Sequence, residues 1–252
     1  MPNEIVIETK DLRKTYSSGF MGHRKTEAIK GISMSVKRGE IFGVIGPNGA
    51  GKTTFMNVLM GQLLADHGTV KILGTDITKN LTDNIKCRMN MCSGVPNFPW
   101  SLNVAEMLRF YGMLYGMYGK FLTDRIERNI KMFELGDYKK VLYDELSTGN
   151  KQKLAMAKAM LNDPEILLLD EPTSGLDPDI AKKTRNFIKK IHKEKKITII
   201  LTTHYMLEAE ELCDRIAFIK NGKIKAQGTK AELKKLTKTK SLEGMFIELA
   251  NQ

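Results

Sequence analysis

Residues 46–54 read Gly46-Pro47-Asn48-Gly49-Ala50-Gly51-Lys52-Thr53-Thr54. The apolar run Ile41–Ile45 precedes this segment, and a second apolar stretch over 55–59 follows it. The order therefore predicts a strand, a glycine-rich turn and a helix, which is the setting in which such a segment binds phosphate. The alternative is a glycine turn between a strand and a helix that binds nothing.

The residue types of this segment match the chemistry of a phosphate-binding loop. Glycines at 46, 49 and 51 let consecutive backbone N–H groups point inward, toward an anion that the positive end of the following helix also favours. Lys52 can then reach the β- and γ-phosphates of a nucleotide, and the Thr53 hydroxyl can hold Mg²⁺. The segment thus predicts a P-loop.

Two carboxylates, Asp170 and Glu171, follow the apolar run Ile166–Leu169. The run predicts a buried strand, so both acids lie at the edge of the sheet where ligands bind. With a P-loop upstream, Asp170 fits a Mg²⁺ carboxylate and Glu171 fits a base that polarises the attacking water. A third apolar run, Ile197–Leu201, leads to His204, which we interpret as a γ-phosphate contact. The alternatives are two acids that serve solubility and a structural histidine.

A second anion site is predicted at Leu146-Ser-Thr-Gly-Asn-Lys-Gln152. This segment opens a helix that we expect to run to about Met160, with Ser147 as its cap and free N–H groups at its start. Two phosphate-binding helix termini in one chain exceed what a single nucleotide needs. The surplus predicts a dimer in which one copy's second terminus closes over the other copy's nucleotide.

The rest of the chain fits an α/β architecture. Strict alternation over 32–37 predicts half-exposed antiparallel strands near the start, and Asn221-Gly222 predicts a type I′ hairpin. Asp177 as a cap and Pro178 at the first helical position predict a helix to Ile191.

The segment 97–150 has a different, helical character. Met107, Phe110, Leu114 and Met117 fall on one helical stripe. We consider two interpretations, simple core packing and a docking groove for a partner helix, which unbranched methionine suits.

Composition narrows the class of protein. The chain has 252 residues, enough for one large α/β domain with an inserted lobe. Forty Lys and Arg against 29 Asp and Glu give a net charge of +11. The lysines cluster as on solvated helix faces, without interleaved aromatic residues, so no nucleic acid is expected.

Compartment is inferred from cysteines and from hydropathy. Three cysteines without metal-ligand spacing favour a reduced, cytosolic compartment. The N-terminus lacks the pattern of a signal peptide, and no run reaches the roughly 18 apolar residues of a membrane span. If the protein serves a membrane, we expect another chain to span it.

These motifs together resemble the ATP-binding subunit of an ATP-binding-cassette (ABC) transporter over nearly the whole chain. In this resemblance Gly46–Thr53 is the Walker A motif, Leu167–Glu171 is Walker B and Leu146–Gln152 is the signature. Ser174–Asp177 is the D-loop and His204 the switch histidine.

The resemblance implies an ATPase that uses ATP and Mg²⁺, with Thr53 and Asp170 at the metal and Glu171 and His204 as catalytic residues. Tyr16 falls where the family stacks an aromatic ring on adenine. The residues implied in nucleotide binding are Tyr16, Gly46, Pro47, Asn48, Gly49, Ala50, Gly51, Lys52, Thr53, Thr54, Ser147, Gly149, Asn150 and Asp177.

The resemblance also implies a fold. It is α/β, a P-loop NTPase core with a mainly parallel central sheet, an N-terminal antiparallel β subdomain and an inserted α-helical subdomain. Residues 1–252 form a single domain, with the core at about 1–96 and 151–252 and the insertion at about 97–150. The functional dimer of the family is head-to-tail, and for this chain it is a homodimer or a heterodimer.

Softer features are similar to the exporter branch, which moves drugs, antibiotics, sodium, lipids or polysaccharides. They include the segments 203–215 and 241–249. The expected partner is a polytopic membrane permease on a separate chain, and the expected location is the cytoplasmic face of the cell membrane. The alternatives are an ABC ATPase that acts on nucleic acid or the ribosome and a regulatory subunit with little hydrolysis.

Two departures from the family pattern affect these expectations. Thr148 and Asn150 replace commoner residues of the signature, although Ser147 and Gly149 remain. The glutamine of the family's Q-loop aligns with Gly94. We therefore expect slow basal hydrolysis, which a membrane partner accelerates by ordering the segment around Gly94.

Overall fold

The computed structural model describes residues 4–18, 24–80, 82–93, 98–236 and 241–251. Its central sheet has six strands, and all neighbours are parallel except the antiparallel pair at one edge. In spatial order the strands are β10 (Lys223–Thr229), β9 (Arg215–Lys220), β3 (Ile41–Ile45), β8 (Thr198–Thr203), β7 (Ile166–Asp170) and β6 (Met89–Ser93). Strands β3, β7 and β8 are buried along their whole length, as continuous apolar runs require.

A second, antiparallel sheet, with two strands before the P-loop segment and two after it, packs on the first. Its spatial order is β2 (Arg24–Lys37), β1 (Ile5–Ser18), β4 (His67–Ile72) and β5 (Thr75–Asp76). The predicted alternation is visible in β2, where Ile32, Met34 and Val36 are buried and Ser33 is exposed. The hairpin between β9 and β10 has positive φ at both Asn221 (51°) and Gly222 (78°), as a type I′ turn requires.

Helices cover both faces of the central sheet. They are α1 (Lys52–Leu59), α2 (Asp83–Lys86), α3 (Val104–Leu114), α4 (Gly119–Met132), α5 (Thr148–Ala159), α6 (Pro178–Lys195), α7 (Met206–Leu212), α8 (Lys230–Leu236) and α9 (Leu242–Asn251). Alternate residues of each central strand face opposite layers. Leu169 and Leu201 pack toward the helical insertion, whereas Phe42, Leu168 and Ile200 pack toward α1 and the antiparallel sheet. The predicted fold class is thereby confirmed.

The prediction that four residues of the insertion share one helical stripe is wrong in one respect. Met107 and Met117 are buried in the core, whereas Phe110 and Leu114 are exposed. The reason is that α3 ends at Leu114 and Gly116 turns the chain at a φ of 74°, so Met117 returns to the core from outside the helix. Only the methionines of the stripe serve core packing.

Two further findings concern membranes and cysteines. Within the described ranges, no helix combines the length and hydropathy needed to cross a bilayer. Cys87, Cys92 and Cys213 are free thiols, and the last two are buried.

The parallel register brings the predicted motifs to one edge of the sheet. Ile45, at the end of β3, pairs with Thr203 of β8, and Asp170, at the end of β7, pairs with Thr202. The carboxyl ends of these strands therefore lie side by side, and the segments that follow them emerge at the same edge.

Candidate nucleotide site

The glycine-rich loop between β3 and α1 passes so close to other backbone that two positions accept only glycine. A Cβ at Gly46 would lie 2.1 Å from the carbonyl oxygen of Ile219. Gly51 adopts a φ of 103°, and its Cβ would lie 2.4 Å from the carbonyl oxygen of Ala28. These close approaches fix the loop against the body of the protein, while Asn48 and Gly49 at its tip are exposed.

Lys52, the first residue of α1, turns back into this loop. Its side chain is 5% exposed, and Nζ donates to the carbonyl oxygens of Gly46 (2.9 Å) and Pro47 (3.2 Å). Nζ also lies 3.1 Å from Oε1 of Glu171. A buried ammonium needs such partners, so these acceptors hold the charge at the place where a phosphate would bind.

Asp170 ends β7 as a buried carboxylate. The hydroxyl of Thr202, its neighbour on β8, donates to Oδ1 of Asp170 and accepts a hydrogen bond from the backbone N–H of Glu171 at 3.0 Å. One buried hydroxyl therefore orients both acids. Sequence reasoning missed Thr202, although its place at the polar end of an apolar run, one strand from Asp170, is the signal that could have found it.

Glu171 has a left-handed backbone with a φ of 50°, which for a residue with a side chain costs on the order of 1–2 kcal/mol. Its carboxylate contacts Lys52 on one side and Nδ1 of His204 on the other, at 3.3 Å. Burial acts to raise the pKa of Glu171, but the hydrogen bond and charge of Lys52, together with the contact with His204, outweigh it, so this pKa lies below its ordinary value of 4.5. Glu171 is therefore ionised at neutral pH.

His204 follows the end of β8 and packs its ring on Tyr205, with the ring centres 4.1 Å apart. Its Nδ1 is buried and makes no hydrogen bond of good geometry to a described residue, although it lies within ion-pair distance of Glu171. The buried edge of the imidazole therefore faces the Glu171 carboxylate.

Tyr16, on β1, lies beside the start of α1. Its side chain is 40% exposed, and its hydroxyl donates to Oγ1 of Thr54 at 3.3 Å. Thr53, one residue before, is exposed. Tyr16 therefore lies beside the end of the glycine-rich segment that contains Thr53 and Thr54.

The signature segment lies elsewhere on the surface. Ser147 caps α5 by accepting from the backbone N–H of Asn150 at 3.4 Å. Ser147, Gly149 and Asn150 border a cavity of about 570 Å³ between α5 and α6. Asp177, the N-cap residue of α6, is exposed. No hydrogen bond or ion pair between described residues joins these four to the glycine-rich loop, and Gly94 falls outside the described residues.

The site thus combines a glycine-rich loop with a lysine, an ionised carboxylate and a histidine at one edge of the sheet. A family model described as ABC transporter matches residues 29–174. The chain belongs to the ABC transporter family. The predicted ATP binding and ATPase activity of the cassette are confirmed with it.

Curated relatives support this membership. The chain is 38% identical over 235 residues to a probable multidrug ABC transporter ATP-binding protein, YbhF, of Escherichia coli (strain K12), covering 92% of this chain and 39% of that one. It is 33% identical to the Nod factor export ATP-binding protein I of Ralstonia nicotianae, covering 90% of this chain and 68% of that one. It is also 37% identical to the cholesterol transporter ABCA5 of Homo sapiens, and the alignment covers 96% of this chain and 15% of that one. The chain therefore spans well under half the length of two of these three relatives.

Solved structures agree in fold. A dimeric ATP-binding cassette in a post-hydrolysis state bound to ADP and Pi superposes with a TM-score of 0.77 at 26% identity, covering 88% of this chain and 98% of that chain. The ATP-binding subunit of an ABC transporter superposes with a TM-score of 0.82 at 27% identity, covering 97% and 99% of the two chains.

Proposed function

We propose that this chain is the ATP-hydrolysing subunit of a membrane exporter and that it works as a head-to-tail dimer. The observation that carries the proposal is the Glu171 carboxylate, held between Lys52 and His204 beside the glycine-rich loop. A cation for the phosphates, an ionised base and an imidazole at one sheet edge are the groups that phosphoryl transfer to water requires.

In this proposal the loop binds the phosphates through its backbone N–H groups and Tyr16 stacks on the adenine. The loop residues are Gly46, Pro47, Asn48, Gly49, Ala50, Gly51, Lys52, Thr53 and Thr54. Stacking of this kind contributes about 1–3 kcal/mol where it has been measured on bases.

The ion pair between Lys52 and Glu171 links binding to base strength. When Lys52 turns to the phosphates, Glu171 loses the contact that does most to lower its pKa, so that pKa rises. A carboxylate with a higher pKa is a stronger base toward the attacking water. Binding thus prepares the base, and His204 contacts the γ-phosphate from the neighbouring strand.

The residues present also fit Mg²⁺. Among the described residues no group of three or more His, Cys, Asp or Glu could form a metal cage. Mg²⁺ prefers one or two protein oxygens together with substrate phosphates, and the Thr53 hydroxyl and the Asp170 carboxylate, fixed by Thr202, are such oxygens. When bound, Mg²⁺ would neutralise charge on the phosphates.

The exposed start of α5 supports a composite site. Ser147 and Thr148 are exposed and lie away from the glycine-rich loop of the same chain, and the first N–H groups of a helix have no partner within it. In a head-to-tail dimer, Ser147, Gly149, Asn150 and Asp177 would close over the partner's nucleotide. A cassette of similar fold is dimeric in its post-hydrolysis state.

Two features support an exporter and a membrane partner. Relatives of this chain are named for multidrug transport and Nod factor export. The helical insertion exposes large apolar side chains, which mark interaction surfaces; they are Trp100, Phe110, Met113, Leu114, Tyr118 and Phe121. We propose that a polytopic permease on a separate chain docks there and holds this subunit on the cytoplasmic face of the membrane.

Mixing two inactive variants tests the composite site. Lys52→Ala removes the phosphate lysine and Ser147→Arg blocks the second terminus, so a mixed dimer keeps one intact site. Mixed one to one, they should restore about a quarter of wild-type ATP hydrolysis, because half the dimers are mixed and each holds one of two sites. Each variant alone should show almost none. Mixed dimers that form but stay inactive would contradict the head-to-tail arrangement.

Co-purification tests the partner. Wild-type protein should bring down a polytopic membrane protein from detergent-solubilised membranes of the native source, and Leu114→Glu should lose it. Leu207→Glu, which changes an exposed leucine of α7, is the matched control and should retain the partner. Recovery of ribosomes or nucleic acid instead would favour the other class of ABC ATPase.

A further inference from the structure

The cavity between α5 and α6 has a lining that the proposed ATPase function does not explain. Its volume of about 570 Å³ lies within the range of small-molecule sites, which is roughly 300–1,000 Å³. Ser147, Gly149 and Asn150 border it, but most of its lining comes from side chains without a role in nucleotide binding. The cavity is therefore large enough for a small molecule of its own.

Apolar side chains form the inner part of this cavity. Met156 of α5 is buried, and Ile180 and Phe187 of α6 are partly buried. Phe187 also packs on Phe133 of the core, with ring centres 4.6 Å apart, so the core holds it in place. Unbranched methionine adapts its shape to an apolar ligand. The inner part of the cavity therefore favours an acyl or aromatic group.

Lysine side chains supply the charge of the cavity. Lys153, Lys183 and Lys190 border it, and Glu134 is the one acid among the described residues of its lining. Lys153 lies 3.1 Å from Glu134 and is neutralised by it. Lys183 and Lys190 are exposed, and neither forms an ion pair or a hydrogen bond within the part of the chain that the structure describes. The cavity thus has two cations in excess, which favour an anionic group.

An anion with an apolar body satisfies both parts of the cavity. A small hydrophilic anion would leave Met156 and Phe187 uncovered, and a neutral hydrocarbon would leave the two lysines without a counter-charge. We propose that the cavity binds a small amphipathic anion, such as a medium-chain carboxylate, with its chain on Met156 and Phe187 and its head group at Lys183 and Lys190.

Occupation of the cavity affects hydrolysis through the signature segment, and this part of the proposal rests on the proposed function. Gly149 packs closely on Ile180, because a Cβ at Gly149 would lie 3.1 Å from Cγ2 of Ile180. Ile180 also lines the cavity, so a ligand that displaces its side chain acts on the backbone assigned to the partner's nucleotide. A negative head group beside the start of α5 also repels a second anion there. The bound anion therefore inhibits ATP hydrolysis.

Calorimetric titration with octanoate tests the site, and acetate and octanol are the probes that lack its chain or its charge. Octanoate should bind at one molecule per chain. Acetate should bind about tenfold more weakly or worse, because two buried methylene groups already give that factor. Octanol should also bind more weakly, because it offers the lysines no charge.

Charge reversal identifies the position of the head group. The double variant Lys183→Glu/Lys190→Glu should weaken octanoate binding about tenfold, the effect of two exposed charge contacts. The double variant Lys182→Glu/Lys193→Glu is the matched control, because it makes the same change of charge on α6 at two exposed residues outside the cavity, and it should keep wild-type affinity. Equal affinity in the two variants, or no binding to wild type, overturns the proposal. Binding to phosphatidylglycerol vesicles without binding of octanoate would assign the lysines to a membrane surface and overturns it as well.

Phosphate release tests the effect on hydrolysis. Saturating octanoate should lower the wild-type rate by about fivefold or more, as a typical coupling between two sites would, and leave the rate of Lys183→Glu/Lys190→Glu unchanged at the same concentration. Binding of octanoate without inhibition overturns the coupling to Gly149. Absence of hydrolysis in wild type without octanoate would instead refute the proposed function, and the calorimetric result would stand by itself.

Discussion

Thr202→Val is the perturbation whose consequences the structure defines most closely. Thr202 is fully buried, and valine has nearly its shape, so packing is kept and only the hydroxyl is lost. That hydroxyl donates to the buried Asp170 carboxylate and accepts from the backbone N–H of Glu171. The substitution therefore removes one charge-assisted hydrogen bond and one neutral hydrogen bond.

The expected magnitude follows from these two bonds. A hydrogen bond to a charged group contributes about 1.5–3 kcal/mol. In the variant, the backbone N–H of Glu171 still donates to the carbonyl oxygen of Thr202 at 3.1 Å. Loss of the hydroxyl as a second acceptor for this N–H therefore adds little. We expect the free energy of unfolding to fall by about 2 kcal/mol, which lowers the melting temperature by about 4–8 °C in a chain of this size. Because Asp170 is no longer held, we also expect kcat/KM for ATP to fall at least tenfold, equivalent to about 1.4 kcal/mol.

The assay compares Thr202→Val with Thr198→Val in urea unfolding and in steady-state phosphate release. Thr198 lies on the same strand and is equally buried. It is at the opposite end of the strand from the site, and its hydroxyl accepts a hydrogen bond from the backbone N–H of Gly39 at 2.9 Å. This control should lose about 1 kcal/mol of stability and no turnover. Thr202→Ser should keep most of both. If Thr202→Val loses stability and hydrolyses ATP at the wild-type rate, the hydroxyl does not position the acids and the reasoning is refuted.

Three other outcomes are expected. Glu171→Gln should retain ATP binding while turnover falls by on the order of 10²–10⁴, the contribution of a positioned base, as measured by nucleotide titration and phosphate release. Gly51→Ala should abolish binding of a fluorescent ATP analogue and lower stability by about 1–3 kcal/mol, because its Cβ would meet the Ala28 carbonyl. Glu165→Gln should lower the urea midpoint at pH 7, and its difference from wild type should shrink as pH falls below 4.5. The Arg88 hydrogen bond is the largest cause that lowers the pKa of Glu165 below 4.5, so this stabilisation is present above 4.5 and is lost as pH falls through the folded-state pKa.

Local features of the fold could be predicted from the sequence. The strand, turn and helix around Gly46–Lys52, the hairpin at Asn221-Gly222 and the cap at Ser147 all depend on backbone conformations and periodicities within a few residues. The exposure of Leu114 could not be predicted, because it depends on where α3 ends and how the chain returns to the core.

The sequence by itself determined the phosphate-binding loop, the two acids and the histidine, because residue type and order carry that chemistry. Only the tertiary structure decided which side chains meet. Thr202 reaches Asp170 through the register of two parallel strands, and His204 lies within 3.3 Å of Glu171 because the strands that precede them are neighbours in the sheet. Such contacts join residues tens of positions apart, and they exist only because strand pairing and burial have already fixed the backbone on both sides.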